Sequence, residues 1–327
     1  MNRLEYLARD IKYENRIIEI GPYHCPIAAR KAGFQSTSLD IMDAASLREQ
    51  ARRDPNLSDE DVQNIEEVDL IGTASDVADL ARQKFGSEIE FDWILSSHNI
   101  EHIPDPIRFL QQSEAILRCG GILRLAVPDK RACFDFFRPL TELAGWLAAF
   151  HERRTRPTIH QNFAQESLRC SFYARNDQLG AWTLGKPNAP DLVVQDQLLE
   201  YYEKWFGENG EIPTEYIDTH CWTFTPASFQ LLIHDLNGLG LTHLQVRSCS
   251  ETYGHEFFID LEKVADKRRP DKRAFYARRR ELLLLAATES GAVYAGKKQP
   301  GRTGGIGVLP QKIIREFGRV VRRIGLQ

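Results

Sequence analysis

The side chains best suited to chemistry in this chain stand at the ends of short runs that read as strands. Glu19-Ile20-Gly21-Pro22 closes a run from Arg16, Asp40 closes a run from Gln35, and Gly72-Thr73-Ala74-Ser75 follows Val68 to Ile71. Ser97-His98-Asn99-Ile100-Glu101-His102 follows Glu90 to Ser96, Asp129-Lys130-Arg131 follows Ile122 to Val127, and Asp218-Thr219-His220-Cys221-Trp222 lies further on. A glycine at a strand end lets a ligand approach the main chain, because no side chain intervenes. An acid at the end of the next strand can accept hydrogen bonds from a ribose diol. Histidine titrates near neutral pH and can take a proton from an acceptor hydroxyl, so His98 and His220 are candidate bases, with Asp129 a third. Lys130 and Arg131 could hold an anionic acceptor. Each position also has a plain structural reading: a turn glycine, a solvated acid, a packed Trp222, or Glu101 and His102 fixing a turn.

The elements around these residues alternate between strand and helix. Leu4 to Lys12 has helical spacing and would lie over a sheet edge as a lid or brace. Strands are expected at Arg16–Ile20, Gln35–Leu39, Val68–Ile71, Glu90–Ser96 and Ile122–Val127. Helices are expected at Pro26–Ala32, through Ala44–Glu67 with a break at Asp54-Pro55-Asn56, at Asp76–Phe85, and from Asp105-Pro106 to about Arg118. Asp105 supplies an N-cap before a first-turn proline, and Cys119-Gly120-Gly121 closes that helix. Such alternation calls for a parallel sheet covered on both faces. From about Asp135 to Thr219, aromatics, arginines and a proline-rich loop replace the short strands, as in an insertion. Pro226–Asn237 then reads as a helix, and Leu244–Ser250 with Glu256–Leu261 as an antiparallel pair.

These segments together resemble a class I S-adenosylmethionine (SAM) methyltransferase. The segment from Ser96 to Pro106 is similar to the corresponding stretch of the type-11-like branch: a small residue, His, two residues, Glu-His, an apolar residue and Pro-Asp-Pro. The Glu-Ile-Gly-Pro loop, which fills the usual alternating glycines with Pro22, Tyr23, His24 and Cys25, resembles a group linked to surface polysaccharide. The resemblance covers about residues 15 to 262. It implies a Rossmann-like α/β fold with a mostly parallel sheet, a closing antiparallel hairpin, an insertion cap and a C-terminal helical tail. It implies SAM as cofactor, with Glu19, Gly21, Pro22, Asp40, Thr73, Ser75, Ser97 and His98 around it. It further implies methylation of a sugar hydroxyl or another small polar acceptor in a surface-glycan or related pathway. A non-catalytic SAM-binding or scaffold protein is the alternative. A nicotinamide enzyme is disfavoured, because the GxGxxG turn that carries a pyrophosphate is absent.

The domain plan that follows is a first core part at 1–134, an acceptor-binding cap at 135–219, completion of the core at 220–264, a charged helix and glycine-rich linker at 265–307, and a basic amphipathic helix at 308–327. That last helix would place Ile313, Ile314, Phe317, Val320, Val321 and Ile324 opposite five cations, for contact with a membrane surface or a partner subunit. The 327 residues are 42% hydrophobic with a formal net charge of −4, so nucleic acid is not the expected partner. The first residues lack the apolar core of a signal peptide, and a cytoplasmic location, with peripheral contact at the inner membrane face, is the expectation. Six cysteines without a CxxC pair argue against a disulfide framework or zinc ribbon, and no metal is expected. His220 and Cys221 are adjacent, and neighbours on a strand point to opposite faces.

Overall fold

Parallel strands buried on both faces need apolar residues at nearly every position, and Arg16–Ile20 meets that demand with four consecutive buried residues. This strand (β1) lies between β2 (Gln35–Asp40) and β4 (Phe91–Ser97), with β3 (Leu70–Ile71) beyond β2. On the other side, β4 pairs in parallel with β5 (Leu117–Pro128), and β5 pairs antiparallel with β10 (Glu256–Lys263), which returns from β9 (Leu244–Cys249). The seven-stranded order is β3-β2-β1-β4-β5-β10-β9. Helices α1 (Arg3–Ala8), α2 (Ala44–Arg53), α3 (Asp59–Asn64), α4 (Val77–Phe85) and α5 (Pro106–Ile116) come from the first part of the chain. The computed structural model describes residues 3–174, 177–187, 189–265 and 271–292. Gly291, where the glycine-rich linker is expected to start, belongs to the last described helix, which runs to Ala292; the rest of the expected linker and the amphipathic helix expected at 308–327 lie outside the described residues.

The chain runs outward from β1 to β3 and then starts again on the other side of β1. That reversal leaves a crevice outside the carboxyl ends of β1 and β4, where open α/β sheets take their ligands. The main core fills one face with Ile18, Ile20, Ile94, Leu123, Leu125, Phe229 and their neighbours. The other face holds Ile17, Trp93, Leu95, Ala126 and Phe258. Buried on this second face, the Arg124 guanidinium donates to both oxygens of Asp260 at 2.7 and 2.9 Å. It also donates to the carbonyls of Leu7 and Arg9, and it stacks 4.7 Å from the Trp93 ring centroid. A buried cation so fully paired fixes α1 and the turn after it against β5 and β10. The expected brace is thus present but shorter than its sequence pattern, and Leu7 packs on the central strands β1, β4, β5 and β10, not on the edge strands β3 and β9.

Residues 135–219 contain α6 (Leu143–Glu152), α7 (Ile159–Leu168), α8 (Leu198–Phe206) and a three-stranded sheet ordered β7-β6-β8. Its strands are β6 (Cys170–Ala174), β7 (Asp177–Leu179) and β8 (Leu192–Val194). These are short strands that the irregular composition concealed. Next, α9 (Pro226–Leu239) starts on a capping box between Thr225 and Ser228 and stops at left-handed Gly240. Finally, α10 (Lys272–Ala292) packs on α9 through Phe275 stacked on His234 and Arg279 paired with Asp235. The described residues belong to one compact unit. No helix among the described residues is long and apolar enough to cross a membrane.

Two expected features take other forms. Cys119-Gly120-Gly121 is part of β5, not a loop, because the chain enters the strand at Leu117 and bulges beside Phe91. A side chain at Gly121 would stand 2.9 Å from the Arg118 carbonyl, so only glycine passes there. Pro26–Ala32 is not a helix but a series of turns ending in one 3-10 turn at Arg30–Ala32. Its reason lies in Glu19.

Candidate functional site

Glu19 is on the same face of β1 as Ile17, pointing into the apolar layer, and only 2% of it is exposed. Its two oxygens accept the backbone N–H groups of Ile27 and Ala28 at 2.6 and 2.9 Å. Those amides serve the carboxylate instead of starting a helix, and Ile27 and Ala28 drop into the apolar layer beside it. Burial pushes the Glu19 carboxyl up to about 7, against the pull of the two amides. The acid expected beside the cofactor thus acts on the loop, holding its shape from beneath.

That loop begins at Gly21, whose N–H donates to the Leu39 carbonyl and whose φ is +62°. A Cβ built there would meet nothing within 4 Å, so the main chain faces open space at the mouth of the crevice. Pro22 and left-handed Tyr23 carry the turn onward. At the end of β2, Asp40 is partly buried, and that burial raises its carboxyl. One oxygen accepts from the Ile41 amide at 2.7 Å. Ile41 and Ile71, the latter the register partner of Asp40, remain more than half exposed. An open main-chain cradle, a strand-end acid and uncovered apolar side chains suit the methionine, ribose and adenine parts of SAM in that order.

The loop after β3 contributes less than expected. Thr73 donates its hydroxyl to Asp76 at 2.9 Å, and the Ser75 carbonyl accepts from Arg108. Arg108 also pairs with Asp76 at 2.7 Å, which ties this loop to α5.

At the end of β4, Ser97 accepts from Arg3 of α1 at 2.6 Å, and the same guanidinium pairs with Glu256 at 2.6 Å. Glu256 opens β10 opposite Pro128, so its antiparallel strand brings a carboxylate to the ligand edge. It is 2.9 Å from His98 Nε2. His98 itself is left-handed, at φ +48°, a conformation that costs energy and clusters at functional sites. Its Nδ1 lies 3.7 Å from buried Glu101. Burial depresses the His98 ring, but the Glu256 hydrogen bond and the charges of Glu101 and Glu256 outweigh it and raise its pKa. With both nitrogens facing carboxylates, His98 is oriented and charge-compensated, and it presents no free lone pair in this arrangement.

Asp129 is fully buried. It accepts from the Arg131 side chain and amide and from the Thr252 hydroxyl. Lys130 is buried too, and donates to the Phe136 carbonyl at 2.6 Å. The structure thus corrects the expectation of two cations open to an anionic acceptor: Arg131 neutralises Asp129, and Lys130 caps a turn. Asp129 likewise has no exposed oxygen to take a proton. His220 is nearly buried, with Nδ1 at 2.5 Å from Asp135, and packs on the Phe134 ring. Asp135 is held in turn by Arg138 at 2.7 Å. His102 Nδ1 pairs with Asp218 at 2.8 Å. Trp222 belongs to the core, with its indole N–H on the Ile103 carbonyl at 2.7 Å.

Arg3, Glu256, Asp135 and Arg138 were not legible as site residues. Arg3 and Glu256 are 253 residues apart, and neither stands in a local motif. A recess of about 830 Å³ between α9, β9 and α10 is lined by Gln230, His234, Phe275 and others and contains none of the strand-end residues named above.

Two outcomes follow. Replacing Gly21 by Ala should cost about 1–2 kcal/mol of stability, the strain of a side chain at positive φ. Gly21→Arg should add to that strain a loss of measurable SAM binding by calorimetry, because its side chain enters the open cradle; wild-type affinity in that variant would contradict the placement. For Glu19, the folded carboxyl holds its proton more tightly than the unfolded one, so its contribution to stability is fully present below the ordinary value of 4.5 and is lost as pH rises through about 7. Denaturant titrations should show wild type losing on the order of 2–3 kcal/mol relative to Glu19→Gln between about pH 5 and about pH 8. Parallel pH profiles for the two proteins would refute it.

Residues 1–243 match a family model described as a methyltransferase domain. No curated protein matches the sequence. Similar solved structures include a SAM-dependent methyltransferase from Methanosarcina mazei, 16% identical with a TM-score of 0.39, covering 81% of this chain and 99% of that one. The CcbJ methyltransferase of Streptomyces caelestis is 10% identical with a TM-score of 0.40, covering 80% of this chain and 94% of the other. With the matched model spanning most of the chain, the protein belongs to the methyltransferase domain family and is a SAM-dependent class I methyltransferase.

Proposed function

We propose that the protein methylates a hydroxyl of a sugar or another small polar acceptor, in a surface-glycan or related pathway. The observation that carries this reading is the polar character of the edge beyond β4, where His98, His102, Asp218 and His220 converge with buried Glu101 and Asp135. Most of these groups answer one another, but Glu101 has no hydrogen-bond partner and His220 leaves Nε2 uncommitted; an apolar acceptor would leave them so, whereas a hydroxyl can answer them. The insertion supports the sugar assignment, since Tyr173, Tyr202 and Tyr216 are each about half exposed there. Aromatic faces of this kind suit the C–H face of a pyranose. The Glu-Ile-Gly-Pro loop, at Glu19 to Pro22, points to polysaccharide by resemblance.

Bound SAM supplies an electrophilic methyl group on a sulfonium. The chain's own residues then have to hold two reactants in line, and much of the acceleration in such a displacement comes from that alignment. Gly21 and Asp40 fix the donor end. His98, held between Glu256 and Glu101, and Ser97, held by Arg3, form the floor beside the transferring group. In this reading His98 is a positioning residue held by Glu256 and Glu101, His220 orients the acceptor through its uncommitted Nε2, directly or through a group bound there, and Asp129 positions Arg131 rather than acting as a base.

Tracing the methyl group tests the assignment. Purified protein and methyl-labelled SAM, added to a cell extract, should place label in saccharide that survives mild base, as an ether does. Label recovered in protein or lipid, or released by mild base as from an ester, would overturn the sugar-hydroxyl reading.

A further inference from the structure

A carboxylate taken fully out of water without hydrogen bonds is costly, by several kcal/mol, unless a counter-ion or metal compensates it. Glu101 is such a group: its exposure is 0% and neither oxygen has a hydrogen-bond partner. Its neighbours are imidazoles. His102 Nε2 is 3.8 Å from Glu101 Oε1, and one ligand atom from each of Glu101, His102 and His220 falls within 4.8 Å of the others.

The two histidines are already arranged as ligands usually are. A metal-bound imidazole commonly donates its second ring N–H to a carboxylate, which fixes its tautomer and orientation. His102 places Nδ1 on Asp218 at 2.8 Å, and His220 places Nδ1 on Asp135 at 2.5 Å. Both leave Nε2 uncommitted, and the rings stand nearly perpendicular, 88° apart, with centroids 4.6 Å from each other. Asp135 is itself anchored by Arg138, so the outer carboxylate is rigid. Cys221 does not take part: its Sγ turns to the His102 carbonyl.

We propose that Glu101, His102 and His220 form a binding site for one divalent first-row transition metal ion. Two imidazoles and one carboxylate suit zinc, iron(II), cobalt(II) or manganese(II), and three protein ligands leave coordination positions open. Metal–ligand bonds of about 2.0–2.2 Å place ligand atoms about 3–3.5 Å apart, so small side-chain rotations close the set. His102 is partly exposed, which gives the ion an entry path. If the polar-acceptor reading above holds, the open positions would take an acceptor oxygen. The binding site itself does not depend on that reading.

The test uses untagged full-length protein stripped with a chelator, without acceptor. Titration with cobalt(II), followed by visible absorption, and with zinc(II), followed by calorimetry, should reach one equivalent per chain. Affinity should fall at least about tenfold in His102→Ala and His220→Ala, and about 10–100-fold in Asp135→Asn, which removes an outer partner. SAM binding, measured in the same samples, should be retained and reports folding. His102→Ala is the main variant, since its partly exposed ring is the easiest to remove. Stripped wild type that binds SAM but takes up no stoichiometric metal would overturn the proposal, as would uptake unchanged in both histidine variants.

Discussion

Burying one carboxylate beneath the first loop sets the form of the ligand edge. Glu19 can sit in the apolar layer only if donors come to it, and the amides of Ile27 and Ala28 are those donors. Their recruitment replaces the helix that the sequence pattern would otherwise extend there, draws Ile27 and Ala28 into the core, and leaves Gly21 at the mouth with its α-carbon facing open space. A continuous helix after Gly21 would have spent those amides on its own carbonyls and left the acid unsatisfied.

The same rule organises the rest of the edge. Asp129 is matched by Arg131, Asp135 by Arg138 and His220, and Glu256 by Arg3 and His98. The pairs of Glu256 with Arg3 and His98, and of Asp135 with His220, join distant parts of the chain, and through Glu256 the short N-terminal helix, the fourth strand and the last strand meet around His98. Arg124 and Asp260 make that meeting possible by clamping the N-terminal segment on the sheet. Glu101 is the exception, and its lack of a hydrogen-bond partner is why it draws attention as a ligand.

The parallel sheet was legible because its signals are local. Short strand-like runs ending in Gly21, Asp40 and Ser97, and the Asp105-Pro106 start of α5, each specify an element without help from elsewhere. The closing hairpin and the helix from Lys272 were legible for the same reason. The segment Pro26–Ala32 was misread because its fate depends on a side chain seven residues before it, and the Gly120-Gly121 pair because a bulge needs glycine as much as a turn does. Within the site, residue types were readable and partners were not. Lys130 and Arg131 looked available because nothing nearby in sequence reveals the Phe136 carbonyl or the buried Asp129 carboxylate beneath them. The grouping of Glu101 and His102 with His220 spans more than a hundred residues and follows only from where the insertion returns to the core.

The donor is assigned to the carboxyl ends of β1, β2 and β4, and not to the recess between α9, β9 and α10. Amide nuclear magnetic resonance of the labelled full-length protein during titration with S-adenosylhomocysteine, the demethylated product, tests it most directly. The largest shifts should fall at Gly21, Tyr23, Asp40, Ile41, Ser97 and His98. Shifts concentrated at Gln230, His234, Arg247 and Phe275, with Gly21 and Asp40 unmoved, would contradict it.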